Sequence, residues 1–282
     1  MKNILIPTDF SKASIIALEA GVDMASRVGA SITLLHVIEE STPESYSIVG
    51  QGHPNDPEQT HFTMELIRKS RRQLEKLVTD PRFAAVEING ELRIGNPYHG
   101  MRTIITEHQP DLVVMGTRGH SDLEEMIIGS NTERVVRHMG CPVLTLHRKP
   151  ADSDFKDIVY ATSMSEDEEE FVQVVKRIQK IYDSTIQLVR INTPADFQRD
   201  RSVKEYMEKF AKKLGLKKYT MNVFNDLNAE EGIVYFAESI KADLICMATH
   251  GRTGFAHVLA GSIAEDVVNH SRRPVLTCVI KK

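Results

Sequence analysis

The sequence predicts an α/β protein made of two tandem, doubly wound, five-stranded parallel sheets, each with the strand order 3-2-1-4-5. The first observation is an internal repeat: residues 111–145 and 243–277, which lie 132 positions apart, agree at 15 of 35 positions without a gap, as expected of a tandem duplication. The second is that each half contains short, purely apolar runs, typical of strands buried on both faces. The third is that these runs alternate with helix-period segments, and right-handed crossovers then build a doubly wound sheet.

The first half opens with a buried strand at Asn3–Pro7 and a helix that ends at Gly29, a residue suited to a left-handed C-terminal cap. A strand at Ser31–Ile38 and a helix at about 62–78 follow, with Phe62 and Leu74 among the residues expected to face inward. Further strands are expected at about 86–94, 112–115 and 142–147, with helices after Pro97 and Ser130. The strand order then reverses between strands 1 and 4, where open α/β sheets bind ligands.

The second half repeats this plan, with strands expected at 157–162, 185–191, 219–224, 244–247 and 274–280 and helices between them. Residues 148–155 are polar and contain a proline, so they are predicted to be a linker. The predicted domains are therefore residues 1–147 and 156–282.

Composition excludes several classes of protein. The 282 residues are 41% hydrophobic and 26% charged, which is typical of globular domains. A net charge of −4 argues against a nucleic-acid binder, which would carry a basic surface. No apolar run reaches the about 20 residues of a membrane helix, and the amino terminus has no signal-peptide core, so we expect a cytoplasmic protein without membrane contact. Cys141, Cys246 and Cys278 are scattered and are expected to be reduced core thiols.

Residues 39–60 contain three prolines and two glycines and have no counterpart in the second half. They predict a long loop near the ligand rim, either a lid or a plain connection. His53 and His61 lie in or beside this loop, but no further pair of ligands at suitable spacing accompanies them, so no metal site is predicted.

A glycine-rich segment follows the fourth strand of each half and leads to Gly129-Ser130 or Gly261-Ser262 at the start of a helix. Serine there is predicted to be the N-cap, and the preceding glycine lets a ligand approach the backbone. Free N–H groups and the positive end of the helix dipole then favour an anion, most readily a phosphate.

The spacing Gly116-x-x-Gly119-(nine residues)-Gly129-Ser130 resembles the nucleotide-binding signature of the universal stress protein family, and the resemblance extends over the whole chain in two copies. It implies a Rossmann-like fold of the adenine-nucleotide alpha-hydrolase type. It also implies that the first glycines lie near the ribose and α-phosphate, and that the Gly-Ser pair holds the outer phosphates.

The resemblance and the position at the sheet rim together assign twelve residues to a first site. Asp9 is expected to contact the nucleoside, although a turn or N-cap role is an equal alternative on sequence alone. Val37 is expected to pack on adenine or simply to belong to the core, and Arg118 either reaches a phosphate or stays solvated. The complete set is Pro7, Thr8, Asp9, Val37, Met115, Gly116, Arg118, Gly119, Gly129, Ser130, Asn131 and Thr132.

The second copy is expected to form a weaker site, because three positions depart from the family pattern. Ser163 replaces the aspartate, Ala248 replaces the first glycine, and Arg190 is placed where Val37 packs in the first copy. Loss of a carboxylate acceptor reduces affinity about ten- to a hundredfold. The residues of this second site are Thr162, Ser163, Ala248, Gly251, Gly261 and Ser262.

The leading functional hypothesis is a nucleotide-binding stress-response or signalling protein whose conformation is read by an unknown protein partner. ATP is the expected ligand, with ADP, AMP and an accompanying Mg²⁺ left open. The chain lacks the P-loop pattern GxxxxGK[ST], the GxSxG elbow, HExxH and paired CxxC motifs. A slow Mg²⁺-dependent ATP-hydrolysing switch is the alternative, and a nucleotide-independent metabolite-binding scaffold is the third reading.

The family resemblance also implies pairing through the last strand of each half. Val143–Leu146 and Val275–Ile280 are suitably apolar edges. We therefore expect the two halves to form an intramolecular pseudo-dimer, with a further homodimer left open.

Overall fold

The computed structural model describes residues 1–39, 57–117, 129–148, 154–250 and 263–280. The first half alternates strands and helices. Its strands are β1 (Asn3–Pro7), β2 (Ser31–Ile38), β3 (Ile88–Ile94), β4 (Leu112–Gly116) and β5 (Val143–Leu146), and its helices are α1 (Lys12–Val28), α2 (Pro57–Val78), α3 (Pro97–His108) and α4 (Ser130–His138).

The second half has the same alternation. Its strands are β6 (Asp157–Ala161), β7 (Thr185–Asn192), β8 (Tyr219–Asn225), β9 (Leu244–His250) and β10 (Val275–Ile280), and its helices are α5 (Glu169–Tyr182), α6 (Asp200–Leu214), α7 (Ala229–Ser239) and α8 (Ile263–His270). A 3-10 turn over Glu166–Glu168 precedes α5.

The ten strands form one continuous sheet in the order β3-β2-β1-β4-β5-β10-β9-β6-β7-β8. Each half is parallel and has the predicted order 3-2-1-4-5. The two predicted sheets are, however, joined into one, because β5 and β10 pair antiparallel, with Leu144 opposite Leu276. Pairing of these two apolar strands removes an exposed edge from each half, and it is the contact expected for an internal pseudo-dimer.

The core lies on both faces of the sheet. Successive residues of a strand point to opposite faces, so Ile4 belongs to one buried cluster and Leu5 to the other. Helices α1, α2, α5 and α6 contribute to the first cluster, whereas Met101 of α3 and Val135 of α4 contribute, with α7 and α8, to the second.

The first residue of each internal repeat is an aspartate, and it anchors the start of the first strand of its half by hydrogen bonds. Asp111 accepts hydrogen bonds from the backbone N–H groups of Lys2 (2.6 Å) and Asn3 (3.3 Å). Asp243 accepts from Lys156 and Asp157 in the same way, at 2.9 Å each. The two halves therefore share a device that anchors the start of the central strand.

Helix α2 corrects two expectations. It begins at Pro57, so the predicted loop over residues 39–60 ends earlier, and its positions 40–56, with His53, lie outside the described residues. Phe62 is 65% exposed and does not face the core. Leu74 and Val78 make the contact with the sheet, over Gly90 of β3, and Phe62 lies several helical turns before that contact.

The cysteines are free thiols buried in the core. Burial raises the pKa of Cys141 to about 12 and that of Cys278 to about 11. Within the described ranges, no helix is both long and apolar enough to cross a membrane, and no group of three or more potential metal-ligating side chains occurs there.

Candidate functional site

A cavity of about 590 Å³ lies at the carboxyl ends of β1, β2 and β4 and at the start of α4. It lies at the place where the strand order reverses, between β1 and β4. The structure places ten of the twelve residues predicted for the first site around this cavity: Pro7, Thr8, Asp9, Val37, Met115, Gly116, Gly129, Ser130, Asn131 and Thr132. The other two, Arg118 and Gly119, lie outside the described residues.

The turn between β1 and α1 is fixed by short-range hydrogen bonds. The Asp9 carboxylate accepts from the Ser11 N–H at 3.0 Å, and the Thr8 hydroxyl accepts from the Phe10 N–H at 3.1 Å. Phe10 has a φ of 63°, which is unusual for a large residue, and its ring lies 4.3 Å from that of His36. Asp9 thus stabilises the turn and also lines the cavity. Its role in the turn is therefore compatible with the predicted contact to a nucleoside.

Gly116 is required by packing. A Cβ atom there would lie 2.6 Å from the carbonyl carbon and oxygen of Ala13 in α1, closer than any unstrained contact. Val37 has a similar constraint, because a Cβ on Gly100 of α3 would lie 2.8 Å from its Cγ2 atom. Gly116 and Val37 both line the cavity. The close packing of α1 on Gly116 and of α3 on Val37 explains the size of the side chain at each position.

The start of α4 differs from the prediction by one residue. Gly129 is the N-cap and Ser130 is the first helical residue, and no described side chain caps the helix. The carbonyl of Gly129 accepts the first helical hydrogen bond, from Glu133 N–H, and its own N–H donates to Thr117 O at 2.9 Å. This hydrogen bond holds the start of α4 beside the end of β4, and the Ser130 side chain is exposed. The positive end of α4 therefore borders the cavity.

Sequence reasoning missed several lining residues. Ser14 is buried, lines the cavity and lies 3.0 Å from the Thr8 hydroxyl. Ser70 of α2 and Met101 of α3 are also buried and line it, and the half-buried His36 lines it too. Ser14 and Ser70 could have been found because each is a polar residue at a helix position that faces the core. A buried polar residue needs a polar neighbour or a ligand.

The second half repeats the turn that follows the first strand, but the carboxylate of Glu168 occupies the corresponding rim. Met164 has a φ of 62° and donates to the Thr162 hydroxyl at 2.8 Å, as Phe10 does to Thr8. Glu168, at the position of Ser14, is 2% exposed. Its carboxylate accepts from the hydroxyls of Tyr160 (2.5 Å), Thr162 (2.7 Å) and Ser163 (3.0 Å) and from the Ser165 N–H (3.1 Å).

The strand register corrects the counterpart of Val37. Pro7 pairs with Leu35 as Ala161 pairs with Val189, so Val37 corresponds to Ile191 and not to Arg190. Ile191 packs against Gly232 as Val37 packs against Gly100, with its Cγ2 2.7 Å from a Cβ placed there. Arg190 takes the place of His36, where it is buried and ion-paired with Asp196.

The rest of the predicted second site is only partly described. Ala248 lies in β9 and pairs with Cys278 of β10. Gly251, Gly261 and Ser262 lie outside the described residues. The described part of this rim therefore differs from the first by the buried Glu168 and by Arg190 in place of His36.

Comparisons with known proteins agree with the doubled fold. The model of the universal stress protein family matches residues 1–147 and again 154–278. A Staphylococcus aureus (strain USA300) protein that carries a universal stress protein name is 30% identical over 171 residues, which are 58% of this chain and 95% of that protein.

Two solved structures match almost the whole chain. A universal stress protein from Archaeoglobus fulgidus has a TM-score of 0.76 and 21% identity, over 99% of this chain and 96% of that one. A protein from Pseudomonas aeruginosa UCBPP-PA14 has a TM-score of 0.66 and 14% identity, over 100% and 93%. At these identities the structures establish the fold.

Proposed function

Because this chain belongs to the universal stress protein family, we propose that its amino-terminal half binds one adenine nucleotide, ATP, in the cavity at the carboxyl ends of β1 and β4. The bound nucleotide then changes a surface that a protein partner reads in a stress response. The observation that carries the proposal is the start of α4, which no described side chain caps, at the edge of a cavity of about 590 Å³.

The lining of the cavity suits the parts of a nucleotide. Its volume lies within the roughly 300–1,000 Å³ of small-molecule sites. Val37 and Met101 provide apolar surface suitable for a base, and Asp9 provides a carboxylate that can accept from a ribose hydroxyl. The backbone N–H groups and dipole at the start of α4 suit the phosphates.

One nucleotide per chain is proposed because of Glu168. In the first half the corresponding Ser14 is small and neutral, whereas in the second half the Glu168 carboxylate occupies the hydroxyls of Thr162 and Ser163. A negative charge at that position also repels phosphate. The second rim is therefore proposed to bind no ATP.

A hydrogen-bonded path supports the conformational output. Gly129 at the cavity donates to Thr117 O (2.9 Å), and the Thr117 hydroxyl lies 2.7 Å from Nδ1 of His147. Nε2 of His147 donates to the carbonyl of Val268 in α8 at 2.6 Å. These hydrogen bonds connect the start of α4 directly to the second half, so a movement there can be transmitted to α8.

The test is identification of the resident ligand. Protein purified without added nucleotide is analysed by native mass spectrometry, and the released small molecule is identified by chromatography. We expect an adenine nucleotide, retained about ten- to a hundredfold less tightly by Asp9→Ala. Ser163→Ala, the matched change in the second half, is expected to retain it fully. A different metabolite, or equal retention by Asp9→Ala, would contradict the proposal.

A further inference from the structure

A second cavity, of about 550 Å³, lies between α3 and α4 and shares no lining residue with the nucleotide cavity. Tyr98, His99 and Arg102 of α3 line it, together with Arg134, His138 and Met139. The lining thus has two guanidinium groups, two imidazoles and two largely apolar side chains, and no carboxylate from the part of the chain that the structure describes. We call it the basic cleft.

The two arginines of the basic cleft have no counter-charge within the described ranges of the chain. Neither Arg102 nor Arg134 makes an ion pair or a side-chain hydrogen bond with any residue that the structure describes. Arg137, one turn later in α4, pairs with both Glu133 and Glu265. Two like charges at one concave surface raise the local positive potential and attract anions.

The internal repeat shows that the fold does not require these charges. At the corresponding positions, 132 residues later, α7 carries Glu230 and Glu231 in place of Tyr98 and His99, and α8 carries Asp266 in place of Arg134. Burial, followed by repulsion from Glu230 and Glu265, raises the pKa of Asp266, so these acids lie close enough to interact. The same pair of helices is therefore basic in one half and acidic in the other.

The chemistry of the lining indicates the class of ligand. Guanidinium groups bind phosphate through paired N–H donors, and neutral or charged imidazoles donate further hydrogen bonds. Tyr98 and Met139 provide apolar surface for the remainder of a ligand. The volume is sufficient for a small metabolite.

We propose that the basic cleft between α3 and α4 is a separate binding site for a small phosphate monoester with an apolar or aromatic body. Arg102 and Arg134 hold the phosphate, and Tyr98 and Met139 contact the body. The site is independent of the nucleotide cavity, so it stands whether or not the first half binds ATP.

The test uses phenyl phosphate as the probe, followed through the histidine ring-proton resonances of the full chain. We expect saturable shifts of two resonances, assigned to His99 and His138 by their loss in His99→Asn and His138→Asn. Affinity is expected to fall at least about tenfold in the double variant Arg102→Glu/Arg134→Glu, because two charge-assisted contacts are lost. The double variant Arg102→Gln/Arg134→Gln serves in the same assay where the charge reversal impairs folding.

Three controls make the outcome specific. Lys204→Glu/Lys209→Glu on the exposed face of α6 makes the same charge change and is expected to leave affinity unchanged. Gly129→Trp, which obstructs the nucleotide cavity, is also expected to leave it unchanged. Inorganic phosphate is expected to bind more weakly than phenyl phosphate, because it has no body to contact Tyr98 and Met139.

Several outcomes would overturn the proposal. Equal affinity of the arginine variants and the wild type would do so, as would loss of binding in Gly129→Trp alone. If inorganic phosphate and phenyl phosphate bound with equal affinity, the basic cleft would only attract anions nonspecifically. A dimer in sedimentation that dissociates in Arg102→Gln/Arg134→Gln would instead assign the basic cleft to the acidic α7 and α8 of a second copy.

Discussion

Gly116 lies directly against Ala13, and a Cβ atom at Gly116 would be 2.6 Å from the carbonyl carbon and oxygen of that residue. The first glycine of the signature is thus fixed by the approach of α1 to β4. This packing also brings the β1–α1 turn, with Thr8 and Asp9, to the same rim as the start of α4. The glycine shapes the cavity indirectly, by allowing that approach.

Gly116→Ala is expected to destabilise the first half by about 1–3 kcal/mol, the usual cost of forcing extra volume into a packed core. Urea unfolding at equilibrium measures the change. The matched variant Ala248→Gly in the second half should cost about 1 kcal/mol or less, because it only removes a methyl group from a strand. If Gly116→Ala left the free energy of unfolding unchanged, α1 could move away from β4 without loss of stability.

Glu168→Ala is expected to cost about 2–4 kcal/mol, because it leaves the buried hydroxyls of Tyr160 and Thr162 without their acceptor. Ser14→Ala, the corresponding change in the first half, should cost only about 1–2 kcal/mol, since it removes two neutral hydrogen bonds, with the Thr8 hydroxyl and to the Ser11 carbonyl. Thermal unfolding of both variants gives the comparison. Equal effects would mean that Glu168 does not organise the second rim.

Asp111 is expected to make stability depend on acidity. Burial raises the pKa of this carboxyl, but the N–H donors of Lys2 and Asn3, the N-terminal charge and Arg177 outweigh it, so its pKa lies below the usual value. A lowered folded-state pKa contributes stability above the unfolded pKa, and this contribution is lost as pH falls through the folded value.

Asp111→Asn should therefore be less stable than the wild type at neutral pH, by on the order of 1 kcal/mol. The difference should disappear as the pH falls through the folded-state pKa of Asp111, where the wild-type carboxyl is protonated. Denaturant unfolding across an acid series measures it, with the exposed Glu205→Gln as a control. A difference that stays constant with pH would contradict this role.

His147→Ala is expected to cost about 1–3 kcal/mol, because the half-buried ring joins Thr117 of the first half to the Val268 carbonyl of the second. His61→Ala on the exposed part of α2 should change stability by less than about 0.5 kcal/mol. Hydrogen exchange should also show faster exchange in α8 of the His147 variant. Unchanged exchange there would mean that the halves are held together without this ring.

The sequence predicted the strand order and most element bounds, because buried parallel strands and helical periodicity leave clear patterns. Phe62 was placed in the core wrongly, because periodicity does not reveal where a helix leaves the sheet. Arg190 was assigned the place of Val37, since alignment between distant repeats does not fix strand register, and the backbone pairing assigns Ile191 to that place. Ser165 and Glu168 have the spacing of a capping box, but that spacing does not reveal that the Glu168 carboxylate also accepts from Tyr160 and Thr162, so this residue was missed.

Titration calorimetry with ATP tests the central claim most directly. The first half has room for a side chain at position 129, where a Cβ would meet nothing closer than Thr117 O at 3.8 Å, so Gly129→Trp fills the cavity without disturbing the backbone. The matched variant is Gly261→Trp, at the corresponding position of the second copy. We predict one ATP per chain in the wild type and in Gly261→Trp, and no binding in Gly129→Trp. Wild-type affinity in Gly129→Trp, or loss of binding only in Gly261→Trp, would contradict the account.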